Sequence, residues 1–343
     1  MSTVVAMGDT LGELTLQVSD AWHRSPDIAA SACLMGVGGS AANFCAVSAA
    51  LGLHSVLVSE MGDDVLTDFL ASDLSRHGVD TSLMRSRKGA NSLCVITVGD
   101  DGDRRFLSYR GPDDSDSNYD KAGYLERLIA RVRTADWLHI SGFWLQRETT
   151  ADLVLAAVSA AQESHLPISL DPSPLIMDDP NESLWKVLKA ARVVFPNAYE
   201  ACALTKAADS ATAARALSSL GIPIVVVTDG ASGSLLVTES GMDEVHAPAI
   251  RALDTTGAGD ALAAGFVAAY LNGHDPREAL IQGTDAATVA VSMIGGHTAA
   301  DEIRRLRGVS AWTHQREPDP ENLTQTQSRP QHSSNGEDDH ADQ

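Results

Sequence analysis

Two aspartates and two glycines fall within Asp254-Thr-Thr-Gly-Ala-Gly-Asp260, directly ahead of the apolar run Ala261-Leu-Ala-Ala-Gly-Phe-Val. Gly257 and Gly259 let the backbone turn tightly and come close to a ligand. A helix starting there leaves unpaired amides at its positive end. The amides of Gly257, Ala258 and Gly259 then form a pocket for phosphate or for charge developing in a transition state. Asp260, in the first helical turn, can accept a proton from a hydroxyl that attacks phosphorus. The same residues also suit a plain turn with a helix cap.

Other segments carry polar groups at informative spacing. In Asn197-Ala-Tyr-Glu200 an Asn is followed by a Glu three residues on, the spacing of a capping box, which also displays Glu200 at a helix start. Thr228-Asp-Gly230-Ala-Ser-Gly233 reads as a turn between two strands. Gly36-Val-Gly-Gly-Ser40 reads as a glycine loop leading into a helix over residues 41–51. Formally it matches GxGxxA, the dinucleotide-binding pattern of a dehydrogenase, with Glu60 further on. That pattern must directly follow a strand, and residues 25–34 are polar and Ala-rich and do not read as one. No GxxxxGK[ST] string exists, which excludes a Walker-type NTPase. Arg104, Arg105, Tyr109 and Arg110 form a cluster that is either a charged strand face or a contact for an anionic or heavily hydroxylated ligand. Phe143 and Trp144 suit either ligand stacking or packing.

The elements that must hold these groups follow from hydrophobic periodicity. Residues 4–7 make a short apolar strand, and Leu14, Leu16 and Val18 alternate as a half-buried one. Residues 54–59 read as a strand and 63–77 as a helix. Residues 92–98 and 104–109 flank Gly99-Asp-Asp-Gly-Asp103 as a hairpin. Beyond Gly111-Pro112 strands (137–140, 168–170, 193–195, 222–228, 234–238) alternate with helices (150–163, 182–190, 211–220). Two long helical patterns, 258–271 and 276–293, close the series. Such alternation predicts an α/β fold with a mostly parallel sheet.

Bulk properties narrow the function. The 343 residues carry a formal charge of −21, which argues against a nucleic-acid binder. Cys33, Cys45, Cys94 and Cys202 form no CxxC pair and sit in apolar or Ala-rich surroundings, so they read as reduced and buried. There is neither a leader-like segment nor an apolar run long enough for a membrane span, so the expected location is cytoplasmic. From about residue 315 polar and charged residues take over, and residues 313–343 read as a disordered acidic tail after a domain over 1–312.

DTTGAGD, together with Gly38-Gly39-Ser-Ala-Ala-Asn43, Asn197-Ala-Tyr-Glu200 and Thr228-Asp-Gly230-Ala-Ser-Gly233 in that order, resembles the ribokinase-like (PfkB-type) carbohydrate kinases over roughly residues 1–310. Asp229 departs from the pattern, at a place that is often apolar. The resemblance implies a three-layer sandwich with a small β-sheet lid, drawn from about 13–35 and 90–112, that excludes water. It implies transfer of the γ-phosphate of ATP to a sugar or sugar-acid hydroxyl, with Asp260 as base and residues 257–259 as the anion hole. Asn197 and Glu200 would hold Mg²⁺ through water, and Thr228, Gly230 and Gly233 would line the nucleotide. Gly38, Gly39, Asn43 and Glu13, with Asp9 as rival to Glu13, would meet the sugar, and Arg110 a carboxylate. Carbonyls of Asp254 and Thr256, completed by Ala290, Met293 and Gly295, would bind a monovalent cation such as K⁺. The lid face would suit a homodimer. A nucleoside kinase of the same superfamily and a non-catalytic sugar or nucleotide sensor remain as alternatives.

Overall fold

The computed structural model describes residues 1–19, 27, 29–99, 104–112, 120–174, 177 and 180–308. The chain divides into two units, Met1–Arg305 and Leu306–Gln343. The acidic tail and the polar turn at 100–103 lie outside the described residues.

Strands β1 (Thr3–Met7), β4 (His54–Val58), β9 (Trp137–Ser141), β10 (Ile168–Asp171), β11 (Val193–Val194), β12 (Ile224–Thr228), β13 (Ser234–Thr238) and β14 (Gly241–Val245) form one sheet in the order β14-β13-β12-β11-β10-β9-β1-β4. The six strands from β12 to β4 run parallel, β13 turns back antiparallel to β12, and β14 pairs antiparallel to β13 at the edge. Parallel strands need crossover helices, and these cover both faces. The helices are α1 (Ser40–Ala50), α2 (Thr67–Arg76), α3 (Lys121–Arg133), α4 (Glu148–Glu163), α5 (Glu182–Ala190), α6 (Ala198–Thr205), α7 (Ser210–Ser219), α8 (Ala258–Leu271), α9 (Pro276–Val291) and α10 (Thr298–Gly308).

Strand alternation assigns each residue to a face. Val5, Met7, Leu138, Ile140, Leu170 and Val225 join one core with Leu128 of α3, Val154 of α4, Leu184 of α5 and Leu217 of α7. On the opposite face Phe44 of α1 stacks on His139 at 3.9 Å between ring centroids, and Phe266 of α8 meets Phe195 at 5.3 Å. Helices α1 and α8 are buried almost all round, and α8 packs on both α1 and α9. Their small Ala side chains permit that close approach. None of the described helices is long and apolar enough to cross a membrane.

A second sheet of four strands, ordered β3-β2-β7-β8, joins β2 (Leu11–Gln17), β3 (Ala32–Gly38), β7 (Leu93–Val98) and β8 (Arg104–Tyr109). Leu11, Cys94 and Ile96 form a small core on it. The short strands β5 (Glu60–Met61) and β6 (Arg85–Ser86) pair with each other.

Several local expectations need correction. The supposed loop Gly36-Val-Gly-Gly-Ser40 is in part strand: Gly36, Val37 and Gly38 end β3, paired with Glu13, Gly12 and Leu11. The polar, glycine-containing stretch gains its strand form from the ladder β2 offers, not from its own propensity. A strand therefore does precede the glycines, but it is antiparallel to β2 in the smaller sheet and not part of a βαβ unit. Strand β2 begins at Leu11, and its buried part is Leu11 to Glu13 rather than the alternating residues that follow. Helix α2 begins only at Thr67, because Asp64 accepts from the amides of Leu66 and Asn91 and holds the chain in a turn. Cys33 is exposed, while Cys45 and Cys94 are buried.

Candidate active site

Helix α8 starts where the sequence places it. Gly257 is its N-cap with φ 75°, a left-handed conformation that favours glycine. The amides of a first turn have no intrahelical partners, and here that of Ala258 donates to the Thr255 carbonyl just outside the helix at 3.3 Å. Asp260 lies in this turn and is 8% exposed. Its Oδ2 accepts from Nδ2 of Asn43 at 2.8 Å, a contact between residues 217 positions apart. Asn43 is in the first turn of α1, and the packing of α1 on α8 creates the pair. Gly39 caps α1 with φ 106°, and a Cβ there would lie 2.4 Å from the carbonyl oxygen of Asp9. The glycines of this segment thus let it pass close to the Asp9 backbone.

Four acidic side chains gather around the α8 start. Glu13 on β2 is 4% exposed, and burial first, then the charges of Asp254 and Asp260, push its pKa up to about 7. An amide from Gly296 partly offsets that rise. Asp260 is pushed up to about 6 by burial, against the stabilising contacts of Asn43 and Ser40. Glu200 is pushed up to about 7 by burial and by the Asp260 charge, although Asn197 favours its ionised form. Asp171, at the end of β10, is held well above the ordinary carboxylate range by burial and by Glu200 and Asp260. Its Oδ2 lies 4.0 Å from where a Cβ on Gly259 would stand. Such perturbed carboxylates mark functional sites.

Asn197 and Glu200 do form the capping box that their spacing suggests. Asn197 Oδ1 accepts from the Glu200 amide and Glu200 Oε2 from the Asn197 amide, both at 2.9 Å. Thr228 bridges directly to Asn197, so the ends of β11 and β12 lie side by side. Gly230 and Gly233 flank a single helical turn before β13, both with positive φ. Asp254 acts through its side chain: Oδ1 accepts from the Thr256 amide at 2.9 Å and Oδ2 from the Gly295 amide at 3.0 Å. The carbonyls of Ala290 and Gly295 already accept bonds, from Met293 and Thr298 respectively.

A cleft is lined by Asp9, Thr10, Arg87, Arg110, Phe143 and Arg147 among others, beside the ends of the smaller sheet. Arg110 pairs with Asp9 and lies over the Phe143 ring at 4.1 Å from its centroid. Burial and the neighbouring Arg147 lower the Arg110 pKa to about 10. Arg147 Nη2 donates to the carbonyls of Arg110 at 2.7 Å and Gly111 at 2.9 Å. Arg105 and Tyr109 stay exposed on β8, and Trp144 is buried in the main core. Asp9 therefore lines the cleft, whereas Glu13 sits beside the Asp254–Asp260 segment.

Sequence reasoning missed Asp171, Arg87 and Arg147. For Asp171 a signal existed, an acid directly after the apolar run Ile168-Ser-Leu170 and before Pro172. For the two arginines nothing local marked them.

The family model for "pfkB family carbohydrate kinase" matches residues 1–303. A fructokinase of Vibrio alginolyticus is 30% identical over 237 residues, covering 67% of this chain and 75% of the relative. An ATP-dependent ribose-1-phosphate kinase of Halopiger xanaduensis is 28% identical over 317 residues, covering 92% of this chain and 99% of the relative. The solved structure of Arabidopsis thaliana ribokinase complexed with ribose and ATP superposes with a TM-score of 0.73 at 22% identity, covering 89% of this chain and 99% of that one.

Proposed function

The chain belongs to the pfkB family of carbohydrate kinases, and from that premise we propose that it transfers the γ-phosphate of ATP to a hydroxyl of an anionic sugar, with Asp260 as the base. The contact between Asn43 and Asp260 carries this reading. It joins the glycine segment at the lid to the anion-binding helix start, so a hydroxyl held by Asn43 also faces the carboxylate. The Asn43 Oδ1 atom is buried and has no hydrogen-bond partner among the described residues, which leaves an acceptor for a substrate hydroxyl. Asp260 takes the hydroxyl proton as oxygen attacks phosphorus. The amides of Gly257, Ala258 and Gly259 hold the phosphoryl oxygens as charge spreads onto them. Thr228, Gly230 and Gly233 line the nucleotide, and Gly38 and Gly39 admit the sugar beside Asn43 and Glu13.

Buried carboxylates whose pKa values are raised by burial first and by neighbouring acids second form a donor set that suits a hard, hydrated cation. Glu200 and Asp171, with Asn197, would hold Mg²⁺ through its waters, and when bound it supplies charge neutralisation at the phosphates. Backbone carbonyls of Asp254 and Thr256 are proposed as ligands of K⁺. The arginines of the cleft beside the smaller sheet support an acceptor that carries a carboxylate or phosphate, because Arg recognises either as a fork. Leu34, Met35, Phe106, Leu107 and Tyr109 are exposed on the two outer strands of the small sheet and support its pairing with a second copy.

The test is ADP release from ATP and Mg²⁺ across a panel of neutral sugars, sugar acids, sugar phosphates and nucleosides. Turnover with anionic sugars is the expected outcome. Turnover with nucleosides alone would transfer the acceptor assignment to them, and no ADP with any acceptor would sink the kinase reading in favour of a sensor.

A further inference from the structure

Away from the α8 start, on the far side of the Gly295–Gly296 turn, three chemistry-bearing side chains meet in the interior. Asp73 comes from α2, His77 from its C-terminal cap, and His297 from the residue just before α10. They are 5%, 1% and 5% exposed. Each offers a ligand atom, and these atoms all lie within 4.8 Å of one another.

Each imidazole has one nitrogen held and one left over. His297 Nδ1 lies 2.5 Å from Asp73 Oδ2, across 224 residues of sequence. His77 Nδ1 lies 2.9 Å from the Asp73 carbonyl and 3.2 Å from its carboxylate. Both Nε2 atoms are buried without a hydrogen-bond partner among the described residues. An unsatisfied buried polar atom is costly and native interiors keep few of them; here the two rings that carry them stand 5.1 Å apart between centroids. A histidine whose other nitrogen is fixed by a carboxylate or carbonyl is the usual state of a metal-bound imidazole. Asp301 Oδ1, on α10, stands 3.4 Å from His77 Nε2 and supplies a further carboxylate on the solvent side.

We propose that His77 and His297, through their Nε2 atoms, with Asp301 as the carboxylate at the outer side and Asp73 orienting both rings from Nδ1, form a site for a divalent transition metal of the Zn²⁺ class, separate from the phosphoryl-transfer centre. Two imidazoles with a carboxylate select such an ion over Mg²⁺, which prefers oxygen ligands and its own waters. The site's position gives it a role. His297 directly follows Gly296, whose amide bonds Glu13, and Gly295, whose amide bonds Asp254. A metal there ties this wall of the active site to α2, and Arg76 and Arg304, which bond Asp73 and the His77 carbonyl, brace the same junction.

The test uses the full chain, without a histidine tag and dialysed against a chelator, titrated with Co²⁺ and then Zn²⁺. The expected result is one tightly bound ion per chain, a visible d–d absorption band with Co²⁺ that Zn²⁺ abolishes, and a melting temperature raised by Zn²⁺. His297→Asn and Asp301→Asn should each weaken binding about tenfold or more. Asp301 is exposed on α10, so that variant keeps the question open to measurement if His297→Asn does not fold. No band with Co²⁺ and no rise in melting temperature would overturn the proposal, as would a band equally strong in both variants, which would mean an ion held only by other histidines. None of these readouts needs phosphoryl transfer, so this proposal and the kinase reading fail separately.

Discussion

Asp260, the proposed base, sits in an interior that disfavours its charge. Its pKa of about 6 puts the working carboxylate within reach of neutral pH and makes it a better base than an exposed aspartate. In the free enzyme kcat/KM should therefore fall as pH drops below about 6, as the base becomes protonated. A flat pH profile across that range would contradict the assignment. Asp260→Asn keeps the Asn43 contact sterically possible and removes the base. Turnover should drop by a factor of about 10²–10⁴, with ATP affinity by calorimetry nearly unchanged. Gly296 tests the same centre from outside it. A Cβ there would stand 2.3 Å from Asn43 Oδ1 and must displace that side chain from Asp260. Gly296→Ala should lower kcat by a factor of about 10² while circular dichroism stays native, because misplacement of about 1 Å is that damaging.

At the scale of elements, the two sheets divide the labour. The main sheet ends β10, β11 and β12 side by side, which brings Asp171, the Asn197–Glu200 cap and Thr228 to one edge. The small sheet carries Glu13 on one face, and its register sets the exposed Met35, Leu107 and Tyr109 of β3 and β8 on the other. Water at such a face is displaced favourably by a matching apolar surface. Met35→Ser with Leu107→Ser should shift the protein from dimer to monomer in sedimentation velocity, and a native chain that is already monomeric would remove the lid-dimer proposal. Much at this scale was legible beforehand. The α8 helix starts and stops where Gly257 and the pattern to Leu271 indicate, and the capping box at Asn197 is written in four residues. The β3 strand was not legible, since glycines and Ala-rich residues take strand form only when a neighbour supplies the ladder.

For the whole molecule, the buried acidic cluster is a source of instability at neutral pH. Asp260 binds its proton more tightly folded, near pH 6, than at the reference value of 3.8, so its ionisation destabilises the fold as pH rises through that window. Asp260→Asn should consequently gain stability relative to the parent chain between about pH 4 and 6, by up to about 3 kcal/mol, and hold that advantage at higher pH. Urea unfolding of both chains at pH 4.5 and pH 8 measures this. An advantage independent of pH would show that Asp260 titrates normally. Histidines affect both chains alike, so His139, which burial holds down at about 3, cancels in the comparison.

What the sequence alone determined is local: a glycine-led helix start with an acid in its first turn, a capping box, alternating strands and helices, and the absence of a Walker lysine. Each of these is decided by residues a few positions apart, where spacing translates directly into geometry. The tertiary structure decided which distant groups share a space. Only the order of strands and crossovers puts Asn43 on Asp260, gathers Asp171 with Glu200, and sets Arg87 and Arg147 around the cleft with Arg110. The same holds for His297 against Asp73 and His77. Contacts across some 200 residues depend on how layers stack, and no period or motif in the chain encodes that stacking by itself.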